Sequence, residues 1–112
     1  MGKRIQQVSM RNLDGRVIQL GYVGENIHTE VDIDCAEVLN DYPDADVILR
    51  AIMPGETVIY EPEISTDGNI VIWELTQQEL DQSGNGRMQL TFTDGTEIIK
   101  SPIGQFSINA SL

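Results

Sequence analysis

Sulfur, imidazole and large aromatic rings are scarce in this chain. Its 112 residues hold one cysteine, Cys35, one histidine, His28, and one tryptophan, Trp73, and aromatic side chains amount to 5%. A single cysteine excludes an internal disulfide, is compatible with a reducing compartment, and reads as a small buried hydrophobe. A catalytic thiol needs an imidazole partner, and His28 falls on the polar side of a predicted strand. Neither a Cys–His pair nor a Ser–His–Asp set is therefore expected. No Cys/His spacing suits zinc. Too few aromatics are present to floor a sugar cleft between paired carboxylates, so no enzyme and no cofactor is expected. Basic residues are also few: 7 against 18 acidic ones, a formal charge of −11 and a pI near 4.2. That balance argues against nucleic acid, where phosphates need clustered Lys and Arg, and against anionic membrane surfaces. No apolar run is long enough to span a bilayer. The opening MGKRIQQVSM lacks an apolar signal core. Gln6 stands where a myristoylation motif wants Ser or Thr.

What is present is a chain of short strands. The length fits one domain, spanning 1–112, and a hydrophobic content of 40% supplies a core. Residues 4–10 read as a first strand, joined through Asn12-Leu13-Asp14-Gly15 to a second at 16–22 as a hairpin. The alternative reading makes 1–15 an extended N-terminal arm. Ile27 to Asp34 alternates, with Ile27, Thr29, Val31 and Ile33 inward and His28, Glu30, Asp32 and Asp34 on a solvated acidic face. Asp34 and Glu37 have capping-box spacing for a short helical turn, which Pro43 ends. Val47 to Met53 is apolar on nearly both sides, the pattern of a central strand or an interface. Thr57 to Glu61 reads as a strand, and 57–64 pairs with 69–75 across Asp67-Gly68. Ile70 to Leu75 is the strongest strand. Thr76 and Glu79 form a second capping box. Ser83-Gly84-Asn85-Gly86 reads as a flexible connection, lacking the Lys-Ser/Thr of a phosphate loop. Arg87 to Thr93 alternates with Met88, Leu90 and Phe92 inward, and Asp94-Gly95 turns it into a strand over 96–100. Phe106, Ile108 and Ala110 belong to a last core strand. Turn signals roughly every ten residues predict an all-β fold, an immunoglobulin-like antiparallel β-sandwich with one or two short helical turns.

Two constellations invite a binding role. Asp32, Asp34, Glu37, Asp41, Asp44 and Asp46 form an acidic run. Calcium favours such oxygen ligands, but the run lacks EF-hand order. It reads first as a solvated face and turn, with Asp32, Asp34, Asp44 and Asp46 the metal candidates. A carbohydrate or host-surface module would need exposed aromatics, for which Tyr22, Tyr42, Tyr60 and Trp73 are the candidates. Trp73 is expected in the core instead, among Ile70 to Leu75.

Leu20 to Asn26 (LGYVGEN) is followed by an alternating strand, Leu39 and Tyr42-Pro43, then Arg50 and Pro54-Gly55-Glu56. Then come Val71 to Thr76 (VIWELT), Gly84-Asn85-Gly86, Met88-Gln89-Leu90 and Lys100-Ser101-Pro102. This order resembles the immunoglobulin-like N-terminal domain of upper baseplate and tail-fibre proteins of phages of Gram-positive bacteria. The resemblance covers about residues 16–110 and carries no catalytic residue. It implies a non-enzymatic virion protein, made in the host cytoplasm, that docks on other virion proteins and forms a homo-oligomer, a trimer by analogy. Two places in the particle compete: the tail, baseplate or fibre, and the capsid surface as a decoration protein, since upper baseplate proteins continue into a fibre beyond such a domain.

Overall fold

Glycine- and aspartate-bearing turns cut the described residues into nine strands: β1 (Lys3–Ser9), β2 (Val17–Tyr22), β3 (His28–Asp34), β4 (Asp46–Ile52), β5 (Ser65–Asp67), β6 (Ile70–Leu75), β7 (Gly84–Asp94), β8 (Glu97–Lys100) and β9 (Gly104–Asn109). One short helix, α1 (Ala36–Leu39), and a 3-10 turn, Met10–Asn12, complete the elements. The computed structural model describes residues 2–112. The strands form two sheets. Sheet one has the order β1-β3-β6-β5; sheet two has the order β2-β9-β7-β4, with β8 also on β7. The expected all-β sandwich is thus the observed fold.

Its N-terminal quarter departs from the expected hairpin. β1 runs parallel to β3 and β2 runs parallel to β9, so the two strands lie in different sheets and neither sheet is purely antiparallel. The Asn12–Gly15 turn does form, with Gly15 N–H donating to the Asn12 carbonyl at 2.9 Å. However, Met10 and Leu13 beside it are buried in the core. Burying both sends the chain across the sandwich instead of back along β1. Nor are residues 1–15 an arm: β1 is hydrogen-bonded to β3 along its length, and only Met1 of that segment lies outside the described residues.

The core between the sheets follows the alternation. Val31, Ile33, Val71, Trp73 and Leu75 point inward from sheet one, and Leu49, Met88, Leu90, Phe92, Phe106 and Ile108 from sheet two. Trp73 meets Phe106 edge to face, with ring centroids 5.6 Å apart at 77°, a favoured aromatic geometry. Trp73 is fully buried, and among the described residues its Nε1 has no hydrogen-bond partner.

β4 is the edge strand of sheet two, not a central one. Its free edge carries a single bridge, where Ala51 and Tyr60 exchange backbone hydrogen bonds of 2.8 and 2.7 Å. The strand expected at 57–61 shrinks to that bridge because a Pro54-Gly55 turn precedes it and Pro62 follows. The hairpin across Asp67-Gly68 is present but shorter, over β5 and β6.

Ser83 to Gly86 is not a flexible connection either. Gly84, Asn85 and Gly86 open β7 and pair with Ile108, Ser107 and Phe106. A β-carbon on Gly86 would strike the Phe106 ring and the Ile52 carbonyl. This glycine is therefore a packing requirement, not a hinge. The Asp94-Gly95 turn and the β7–β8 hairpin match expectation. Beyond it Ser101 is buried, and its hydroxyl accepts from Leu90 N–H at 3.0 Å where the chain passes from β8 to β9.

Both helical turns are shorter than full capping boxes. Asp34 Oδ1 accepts from Ala36 N–H at 3.0 Å, but Glu37 bonds Arg11 instead of returning to the cap. Glu79 does return to Thr76 N–H, at 3.0 Å, and buried Leu80 anchors that turn.

Candidate functional site

The sites singled out from sequence separate in space. His28 and Asp34 are the first and last residues of β3. With about 3.3 Å of rise per residue, the His28 imidazole and the Cys35 thiol lie roughly 20 Å apart along the strand. Cys35 is fully buried, and burial, then the Asp34 charge, push its thiol up to about 12. The four metal candidates divide between the sheets. Asp32 and Asp34 belong to β3, Asp44 to the turn before β4, and Asp46 begins β4. Among the described residues no group of three or more His, Cys, Asp or Glu side chains is arranged to hold a metal ion.

Of the four aromatics, Trp73 is buried, Tyr42 is half-buried, and Tyr22 and Tyr60 are 49% and 40% exposed. Tyr22 ends β2 and Tyr60 flanks β4, which are opposite edges of sheet two. Strand spacing of about 4.8 Å puts three intervals between those edges, so the two exposed rings form no shared platform.

The outward face of sheet one is acidic, though less solvated than expected. Glu30 pairs across to Glu74 and Asp32 to Ile72 on β6; Asp34 pairs to Ile70 and Ile70 to Asp67. On its other side β3 is covered by Lys3, Ile5 and Gln7 of β1. Lys3 Nζ lies 2.7 Å from Glu30 and 3.5 Å from Glu74. The ammonium holds the Glu30 carboxyl below its usual range. Asp32 has no such partner. Burial first, then the neighbouring Glu30, push its carboxyl up to about 6, and among the described residues its buried Oδ1 has no hydrogen-bond partner.

The outward face of sheet two was not visible in the sequence. Register places Ile52 beside Arg87, Arg50 beside Gln89, and Ile48 beside Thr91, with Lys100 on the far side of Thr91. Arg50, Arg87 and Lys100, three of the chain's seven basic residues, thus line one shallow groove with Ile52, Ile59 and Ile103. Ile48, Ile59, Ile98 and Ile103 on this side are all exposed. Arg50 is bonded to Glu61 at 3.0 Å. Among the described residues Arg87 and Lys100 form no ion pair. Only the pairing register assembles this group, so no local motif announces it.

The edge between the faces is closed by polar side chains. Arg4 and Gln6 point inward from β1 and donate to the Leu20 and Gln19 carbonyls of β2, at 3.3 and 2.8 Å. Arg4 also grips Glu25 through two bonds of 2.9 and 3.0 Å, and Glu25 accepts from Tyr22 N–H at 2.7 Å. A β-carbon on Gly21, whose φ is +125°, would collide with Arg4 and Glu25. That left-handed geometry suits glycine alone.

Comparison with known proteins finds likeness in fold without likeness in sequence. No protein-family model matches the chain, and neither does any curated protein. Among solved structures, the N-terminal domain of phage TP901-1 ORF48 aligns over 100% of both chains with a TM-score of 0.53 and 11% identity. The cysteine protease inhibitor EhICP2 of Entamoeba histolytica aligns over 99% of both, with a TM-score of 0.46 and 12% identity.

Proposed function

We propose that the chain is a non-enzymatic structural module of a bacteriophage virion that docks on other virion proteins. The observation carrying this reading is the end-to-end fold likeness to the N-terminal domain of a phage protein. It agrees with the resemblance drawn from Leu20–Asn26, Val71–Thr76 and Gly84–Leu90. Strand order supports an immunoglobulin-like sandwich in particular. β3-β6-β5 facing β9-β7-β4 has the order B-E-D over G-F-C of that fold, and β2 pairs parallel to β9 as an added outer strand. β1 and β8 are extensions of the scheme. The surface suits docking more than catalysis: two broad faces bear isoleucines and charge, while the one histidine and the one thiol lie at opposite ends of a strand. Within the particle, a tail, baseplate or fibre position follows the resemblance drawn from the sequence, and capsid decoration is the competing position. Mass spectrometry of purified particles, with antibody labelling by electron microscopy, tests the proposal. Labelling on the tail is the expected result, labelling on the head would move the module to decoration, and absence from the particle would refute a virion role.

A further inference from the structure

The two outer faces of the sandwich are complementary to each other. Sheet one presents Glu30, Asp32, Asp34, Asp67 and Glu74 with Ile5, Ile70 and Ile72 among them. Sheet two presents Arg87 and Lys100, with Arg50 paired to Glu61 and Asp46 at the far end of β4, among Ile48, Ile52, Ile59, Ile98 and Ile103. A chain with 18 acidic and 7 basic residues has little reason to gather bases on one face for solubility. Both faces also keep isoleucines at outward positions, where a solvated sheet would carry Thr, Lys or Glu. We propose that sheet two of one copy docks on sheet one of the next, a head-to-tail contact between copies of this chain. This goes beyond the virion assignment and does not depend on it.

Chemistry at the contact favours one copy as the partner of another. Among the described residues Arg87 and Lys100 are in no ion pair. Asp34, Asp67 and Glu74 on the opposite face are exposed carboxylates within reach of a neighbour. A partner's guanidinium supplies donors matched to carboxylates, while the facing isoleucines lose their contact with water. The molecule's extents of 47, 31 and 24 Å leave room on a broad face for the about 800 Å² per partner of a standard interface. Because donor and acceptor surfaces differ, the contact is heterologous. It closes into a ring if successive copies rotate enough and otherwise continues as a stack. The charge of −11 opposes approach at long range. At physiological ionic strength that repulsion is screened beyond about 8 Å, whereas close pairs persist.

Charge reversal in a mixing experiment tests this on the intact chain. Sedimentation equilibrium at about 0.15 M salt should show the wild-type mass rising with concentration. Arg87→Glu with Lys100→Glu makes both faces acidic and should weaken self-association about tenfold or more. Asp67→Lys with Glu74→Lys removes the net acidity of sheet one, leaving Glu30, Asp32 and Asp34 against three lysines, and should do the same. An equimolar mixture of the two double variants restores an acidic face opposite a basic one and should associate at least as well as wild type. Circular dichroism confirms that each variant is folded. A wild type that stays monomeric up to about 1 mM, the weakest range of specific binding, overturns the proposal. So does a mixture that gives no rescue, which would indicate an isologous contact. If wild type is monomeric but Arg87→Glu with Lys100→Glu is lost from particles, the basic face belongs to a different virion protein, and self-docking is again refuted.

Discussion

The two sheets are joined in two places by opposite chemistry. In the centre, Trp73 of β6 and Phe106 of β9 meet in a dry contact. At the β1–β2 edge, Arg4, Gln6, Thr29 and Glu25 bridge with hydrogen bonds, Thr29 Oγ1 donating to the Leu20 carbonyl at 2.6 Å. The centre gains stability by removing apolar area from water. The edge satisfies carbonyls that a half-open sheet would leave bare, gaining little net energy but fixing where β2 sits. Apolar contact thus sets how strongly the sheets hold together, and the polar seam sets their alignment.

The comparison breaks most severely at the centre. Trp73→Ala should cost about 3–5 kcal/mol in chemical denaturation, as large core truncations do; a loss under about 1 kcal/mol would show that the indole is not a core residue. Gly86→Ala pushes a methyl into the Phe106 ring and should cost about 2–3 kcal/mol, with the loss falling when Phe106 is shortened to Leu in the same chain. At the seam the effects are smaller and depend on pH. Arg4→Met should cost about 1 kcal/mol at neutral pH, because the ion pair is partly open to solvent. Arg4 holds the Glu25 carboxyl below its ordinary value. The pair's contribution is therefore present above the unfolded carboxyl pKa and lost as pH falls through the lower folded one. The gap between wild type and Arg4→Met should close in acid.

Asp32 sharpens the contrast as a carboxylate without a cation. Its carboxyl is raised to about 6, so the fold is penalised as pH rises from the unfolded value through 6, and the penalty vanishes in acid. Asp32→Asn should stabilise the protein at pH 7 by up to about 1 kcal/mol after allowance for solvent screening, and should change little at pH 4. The two variants' pH profiles should slope in opposite directions; parallel slopes would contradict both assignments.

The centre was legible in the sequence and the seam was not. Alternation at 87–93, the apolar run 70–75, the Asp94-Gly95 turn and the Thr76–Glu79 return bond are local signals, and each holds in the structure. β1 escaped because its inward positions are Arg4 and Gln6, polar residues that read as a solvated strand until the Leu20 and Gln19 carbonyls lie beside them. β4 looked central because Ile48 and Ile52 are apolar, yet both point outward from an edge strand. Gly84 to Gly86 read as a loop because glycine marks flexibility and close packing alike. The basic face required the register of β4, β7 and β8 together, which no stretch of sequence contains.

The pairing of β2 with β9 also bears on the order of assembly. Every strand of sheet one lies between Lys3 and Leu75, whereas β2 has no partner in its sheet until β9, with Ile18 opposite Phe106. A chain emerging from the ribosome N-terminus first can pair all of sheet one before the last third exists. Its inner surface, Trp73 included, then stays uncovered until Phe106 arrives. Closing so long a loop is slow, and tryptophan fluorescence should report that final step as a single late phase.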